Sequence, residues 1–133
     1  MMENIRDKLG QAKARLGVFS KSTPLLMQGF GAISKQATQP GSFSSGQKEL
    51  IAVAIAVSKG CEDCILYHVE AARKHGAEET QLIEALEVSI EMGGGPAIMY
   101  SAKSPRNLPC ILEHVSRKWE LGLGDMRKNM QES

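Results

Sequence analysis

The chain has 133 residues, 42% of them hydrophobic and 23% charged, and 16 basic against 15 acidic residues leave a net charge of +1. This composition is typical of one globular domain, expected here over residues 1–133. It gives no electrostatic reason to expect a nucleic-acid partner. The longest apolar run, residues 50–57, is too short for a membrane span. Because the N-terminus lacks a secretory pattern, we expect a cytoplasmic protein whose close cysteine pair is redox-active or metal-binding.

The first forty residues predict two helices that indicate no particular chemistry. In the first, over residues 3–16, apolar side chains recur at helical spacing: Ile5, Leu9, Ala12 and Leu16. The second begins after Thr23, whose hydroxyl can cap a helix that has Pro24 in its first position. Its apolar residues are expected to form a buried face: Leu25, Leu26, Phe30 and Ile33. Residues 39–42 predict a turn.

A third helix is predicted from Ser44, which has the spacing of a capping box with Gln47. Residues 50–57 are apolar on every side, which predicts a helix buried all round. Glu49 shares a face with Val53 and Ala56, so we expect its carboxylate to point inward. The alternative is an acidic side chain that only benefits from the helix dipole.

The fourth predicted helix carries Cys61, Cys64 and His68 and ends at Gly76. On a helix the three reactive side chains lie within about 60° of one another. Two thiols at this spacing can close a disulfide, and a histidine one turn further along can exchange a thiol proton. The helix N-terminus favours a thiolate at Cys61. Two acids lie between the cysteines and oppose a thiolate, which predicts a reducing pair.

The remaining elements are also helical, which makes the predicted fold class all-α, with about six to seven helices. A fifth helix follows residues 77–80, with an apolar stripe formed by Leu82, Ile83, Leu86 and Ile90. Residues 93–96, three glycines and a proline, predict a bend, after which helix resumes at residues 97–102. If that bend folds back, Tyr100 lines the cysteine site. A last amphipathic helix is predicted over residues 108–121.

Two other interpretations of the cysteine pair stay open on these residues. Zinc could be held by Cys61, Cys64, His68 and a fourth ligand such as Cys110, although structural zinc sites usually join two ligand pairs. The pair could also be purely structural. Cys110 itself is interpreted as a buried thiol, with a regulatory or resolving role as the alternative.

Several segments together resemble the alkylhydroperoxidase D core of the carboxymuconolactone decarboxylase family. The family's pattern of a glutamate, CxxC and a histidine is met at Glu49, Cys61, Cys64 and His68. The resemblance covers about residues 45–103 and includes residues 48–53, 60–65, 71–72, 75–77 and 92–97. Residues 1–40 would add N-terminal helices to this core, and residues 104–133 a C-terminal helix and tail.

The resemblance implies an all-helical fold built around a helical hairpin that carries the CxxC motif. It implies a thiol oxidoreductase that reduces hydroperoxides or protein disulfides, with a dithiol electron donor and without bound metal, flavin or haem. Cys64 would attack the substrate, Cys61 would be its more accessible partner, and His68 and Glu49 would relay protons. The helix-end argument favours Cys61 as the thiolate instead, so the attacking cysteine stays open.

The resemblance further implies assembly into homotrimers or homohexamers. A helix apolar on every face, in so short a chain, also favours cover by neighbouring subunits. The decarboxylase branch of the family lacks the cysteine pair, which disfavours a muconolactone decarboxylase. That activity and a metal-binding or assembly module without catalysis are the alternatives.

Overall fold

The structure is a computed structural model that describes residues 5–106, and this part of the chain is all-α, as predicted. It contains six helices and no strand: α1 (Ile5–Ser22), α2 (Pro24–Thr38), α3 (Ser45–Lys59), α4 (Glu62–Lys74), α5 (Glu79–Gly93) and α6 (Gly95–Arg106). The helix predicted over residues 108–121, with Cys110, lies outside the described residues. Among the described residues no helix is long and apolar enough to cross a membrane.

The helix ends around the cysteine motif follow from local sequence. At the start of α3, Ser44 Oγ accepts the Gln47 N–H at 3.1 Å and Gln47 Oε1 accepts the Ser44 N–H at 3.0 Å, which forms the predicted capping box. α3 ends at Gly60, which has a left-handed φ of 71°. Cys61 is then the N-cap of α4, and the predicted glycine end of α4 lies at Gly76, with a φ of 82°.

The core lies between α3 and the helices that pack on it. α3 and α4 pack against each other more extensively than any other pair, and α5 packs on another side of α3. The buried apolar side chains come mainly from these three helices: Leu50, Val53, Ala56, Val57, Ile65, Leu66, Val69, Ala72, Leu82 and Leu86, with Leu9 and Ala97 from α1 and α6. This core positions α3 and α4 rigidly beside each other.

Full burial of α3, predicted with neighbouring subunits supplying part of the cover, is not reached within residues 5–106 of a single chain. Ile51 is 47% exposed and Ile55 is 52% exposed. They share one side of α3, and the neighbouring helices leave that side open. An apolar run shows that a helix avoids water, but the number of helices that surround it depends on contacts distant in sequence.

The predicted buried face of α2 is likewise not covered within residues 5–106 of a single chain, where no residue of α2 is buried. Its apolar side chains are all more than half exposed: Leu25, Leu26, Phe30 and Ile33. α2 packs only lightly on α1 and α3, so nothing in residues 5–106 covers this face. The N-cap was placed correctly at Thr23, but its hydroxyl donates to the Phe19 carbonyl at 3.4 Å and makes no capping bond.

The first helix is longer than predicted and contributes little to the core. α1 continues to Ser22, six residues beyond the expected end at residue 16. Of its predicted apolar face, Leu9 is buried and Leu16 is exposed. α1 therefore lies mostly on the surface, against α4 and α2.

Candidate functional site

The candidate site begins at the junction of α3 and α4, where Gly60 is required for two reasons. Its φ of 71° favours glycine, and a Cβ at this position would lie 3.0 Å from the ring of Tyr100. The next N–H, that of Cys61, donates to the Ala56 carbonyl at 3.0 Å. The junction is therefore tightly fixed, and Tyr100 on α6 lies beside it, where the sequence suggested a ring could fold back.

Cys61 and Cys64 are joined by a disulfide, with their Cα atoms 5.2 Å apart. Cys61 Sγ accepts the backbone N–H of Cys64 at 3.3 Å, the bond that a sulfur at an N-cap position can receive. Reduction would leave this N–H directed at the Cys61 sulfur, where it would stabilise a thiolate.

The exposure of the two cysteines is opposite to the order that the family resemblance implied. Cys64 is exposed, whereas Cys61 is only partly exposed. The reason is local geometry, because Cys61 lies in the α3–α4 junction while Cys64 is one turn into α4 on its outer side. Cys64 is thus the sulfur that a substrate can approach more freely in a single chain.

Glu49 and His68 form a close pair across α3 and α4. Glu49 Oε2 lies 2.6 Å from His68 Nδ1, and Glu49 is only 5% exposed. The expectation that Glu49 points inward is confirmed. Its burial is compensated by the pairing with His68, which the helix-dipole interpretation did not include. If Glu49 is ionised, its carboxylate can only accept, so the hydrogen bond would run from Nδ1–H to Oε2, with Nε2 outside this pair.

Charged and aromatic side chains from outside the motif extend the site. Lys8 Nζ lies 3.7 Å from Glu62 Oε1, and Arg15 Nη2 lies 3.1 Å from Asp63 Oδ2. Tyr67 is 48% exposed, and its ring meets the His68 ring edge-on at 5.1 Å. The sequence analysis did not identify these two cations. The spacing of Lys8 and Arg15 places them on one face of a helix, but nothing in the sequence shows which acids that face meets.

Neither the cysteines nor His68 lies in a metal-binding cluster within the described residues. In that part of the chain no group of three or more histidine, cysteine, aspartate or glutamate side chains could hold a metal ion. Cys110, considered above as a fourth zinc ligand, falls outside it. In the structure the sulfurs bond each other, and His68 bonds Glu49.

Comparison with known proteins gives a match to a family model. The model of the carboxymuconolactone decarboxylase family matches residues 24–105, a segment that begins at α2 and includes Glu49, Cys61, Cys64 and His68 but not α1 with its two cations. The match thus extends about twenty residues further toward the N-terminus than the resemblance seen in the sequence.

Individual relatives and solved structures agree with this match. Uncharacterized protein H16_B0147 of Cupriavidus necator is 43% identical over 104 residues, which cover 78% of this chain and 92% of the relative. Uncharacterized protein 4 in the cox locus of Paracoccus denitrificans is 37% identical over 94 residues, 71% of this chain and 85% of the relative. The crystal structure of apo-lpg0406, a carboxymuconolactone decarboxylase family protein from Legionella pneumophila, superposes with a TM-score of 0.75 at 34% identity, covering 81% of this chain and 96% of that one.

Proposed function

The chain belongs to the carboxymuconolactone decarboxylase family, and we propose that it is a thiol–disulfide oxidoreductase that reduces hydroperoxides or protein disulfides through Cys61 and Cys64. The observation that carries the proposal is the bonded Cys61–Cys64 pair at the start of α4, next to the paired Glu49 and His68. A dithiol electron donor would reduce the disulfide after each turnover. We place this cycle in the cytoplasm, where thiols are kept reduced.

The proposed cycle with a hydroperoxide balances without another redox group. A thiolate attacks the O–O bond, which gives a sulfenic acid and, after protonation of the leaving alkoxide, an alcohol. The second thiol then attacks the sulfenic sulfur, which closes the Cys61–Cys64 disulfide and releases water. The donor dithiol transfers two electrons and two protons and becomes a disulfide itself. The cysteine pair is the electron carrier, so the cycle needs no metal, flavin or haem.

His68 and Glu49 serve as the proton relay in this proposal. The Glu49 carboxylate holds the imidazole through Nδ1, which orients Nε2 and stabilises the imidazolium that forms when a thiol is deprotonated. The same imidazolium can return the proton to the leaving oxygen. Burial of Glu49 strengthens this interaction, because a paired carboxylate that is shielded from water is screened less.

We also propose that the chain assembles into a homotrimer or homohexamer. The support is the exposed apolar face of α2, together with the exposed Ile51 and Ile55 of α3. Apolar surface on this scale is rarely left open on a monomer. α2 also has a single charged residue, Lys35, which is typical of a helix that becomes buried between subunits.

The test is a count of reactive thiols in the reduced protein before and after one equivalent of an alkyl hydroperoxide, repeated with a protein disulfide. We expect two thiols to be lost with each oxidant, and turnover to disappear in Cys61→Ser and Cys64→Ser variants. Cys110→Ser is the matched control and should keep its turnover. Full activity in either of the first two variants, or after alkylation of all thiols, would refute the proposal and favour a thiol-independent lyase. One zinc per chain with unreactive thiols would refute it in favour of a metal-binding module.

A further inference from the structure

The two acids between the cysteines create an electrostatic problem for a reactive thiol pair. Glu62 and Asp63 occupy the first turn of α4, and their side chains are 44% and 58% exposed. Each carboxylate is on a residue adjacent to a cysteine, and a nearby negative charge disfavours a thiolate. Considered alone, the motif therefore carries two negative charges between the two residues where a thiolate would form.

Two cations of α1 form ion pairs with these acids, one with each. Lys8 Nζ lies 3.7 Å from Glu62 Oε1, and Arg15 Nη2 donates a hydrogen bond to Asp63 Oδ2 at 3.1 Å. Lys8 and Arg15 are seven residues apart, so they lie on the same face of α1. The face of α1 toward α4 thus brings a charge of +2 to a motif whose own side chains carry −2.

Three ion pairs and one buried leucine connect α1 with the rest of the fold. A third ion pair joins Lys13 to Glu70 at 3.6 Å, and Lys13 Nζ also lies 5.8 Å from the centre of the Tyr67 ring. Leu9 is a buried large apolar side chain that α1 contributes to the core. Exposed ion pairs are individually weak, so the placement of the cations depends on several of them together with Leu9.

We infer that Lys8 and Arg15 are positioning residues of the thiol pair, which stabilise its thiolate by neutralising Glu62 and Asp63. The inference rests on the proposed function, since it concerns Cys61 and Cys64 as a working dithiol. The motif alone predicted a reducing pair, because its two acids oppose a thiolate. With the acids neutralised, the helix N-terminus and the Cys64 N–H have the larger effect on the thiolate, and the pair is less reducing than its sequence suggests.

The expected effect follows from Coulomb's law at the protein surface. The charged and titratable groups on the helices packed at the motif are Lys8 and Arg15 of α1, Glu49 of α3, Glu62, Asp63 and His68 of α4, and the Tyr100 phenol of α6. A neighbouring unit charge at a partly screened protein surface changes a thiol pKa by roughly 0.3–0.5 units. Loss of both cations should therefore raise the thiol pKa by roughly 0.5–1 unit.

The experiment measures the pH dependence of iodoacetamide alkylation in the reduced protein, with Cys110→Ser as the common background. Lys8→Gln with Arg15→Gln should raise the apparent thiol pKa by roughly 0.5–1 unit and slow alkylation below that pKa by about three- to tenfold. Lys21→Gln with Arg73→Gln removes the same total charge from exposed positions outside α2 and should leave the thiol pKa unchanged.

A second variant separates charge from structure. Adding Glu62→Gln and Asp63→Asn to the first pair leaves no side-chain charge at these four positions, so the thiol pKa should return close to that of the parent. An unchanged pKa in the first variant, or a pKa that stays raised in the fourfold variant, overturns the inference. Failure of the parent protein to re-form its disulfide with peroxide would instead overturn the proposed function, whatever the pKa.

Discussion

The pairing of Glu49 with His68 makes the substitution Glu49→Gln the sharpest test of the proton relay. The Glu49 carboxylate is 5% exposed and lies 2.6 Å from His68 Nδ1. Glutamine has nearly the same shape, and its amide oxygen can still accept the Nδ1–H. The substitution therefore removes the negative charge and keeps the packing and the hydrogen bond.

Rate and stability should respond very differently to this change. A charge-assisted hydrogen bond is about twice as strong as a neutral one, so the loss in folding free energy should be about 1 kcal/mol. The rate depends on the imidazolium that forms during proton transfer, which the amide no longer stabilises. General acid–base catalysis contributes about 10²–10⁴-fold, so we expect kcat/KM to fall about 10²-fold, equal to about 2.7 kcal/mol.

The assay is hydroperoxide reduction with a dithiol donor in excess, alongside urea unfolding of the same preparations. Glu87→Gln, an exposed glutamate on α5, is the matched control and should keep both activity and stability. A Glu49→Gln protein that turns over at the parental rate would refute the relay. A rate loss matched by an equal loss in folding free energy would show that Glu49 is only structural.

Three further predictions concern the frame around the site. Replacing Gly60 with alanine should lower the free energy of unfolding in urea by about 1–3 kcal/mol, because alanine keeps the left-handed φ only with strain and the Tyr100 ring must move. The same change at Gly29 of α2, where an added Cβ meets nothing, should not lower it by this amount. The hydrogen bond from Lys74 lowers the pKa of Glu70, so Glu70 stabilises the fold above its unfolded pKa and this contribution is lost as pH falls through its lower folded value. Glu70→Gln should thus be less stable than the parent at pH 7 and indistinguishable from it in strong acid, by thermal unfolding. Phe30→Lys should reduce the molar mass in light scattering if α2 lies between subunits, and an unchanged oligomer would contradict that proposal.

Local signals in the sequence accounted for the helical fold and for the cysteine pair of the site. The capping box of Ser44, the glycine ends and the break after α5 depend on residues within four positions of one another, so their pattern is visible in one dimension. The disulfide between Cys61 and Cys64 follows from the spacing of one helical turn. The inward direction of Glu49 was one of two interpretations of its place on an apolar helix face, and its partnership with His68 was implied only by the family resemblance.

Tertiary structure alone decided which surfaces are covered and which charges meet. The apolar face of α2 and the open side of α3 show that periodicity identifies a water-avoiding face without identifying what covers it. Arg15 reaches Asp63 across a separation of 48 residues, so the charge at the thiols depends on where α1 packs. The sequence shows that the acids adjoin the cysteines. The electrostatic potential at the sulfurs, however, depends on every charge that is close in space, and the neutralising charges are those of Lys8 and Arg15 on α1.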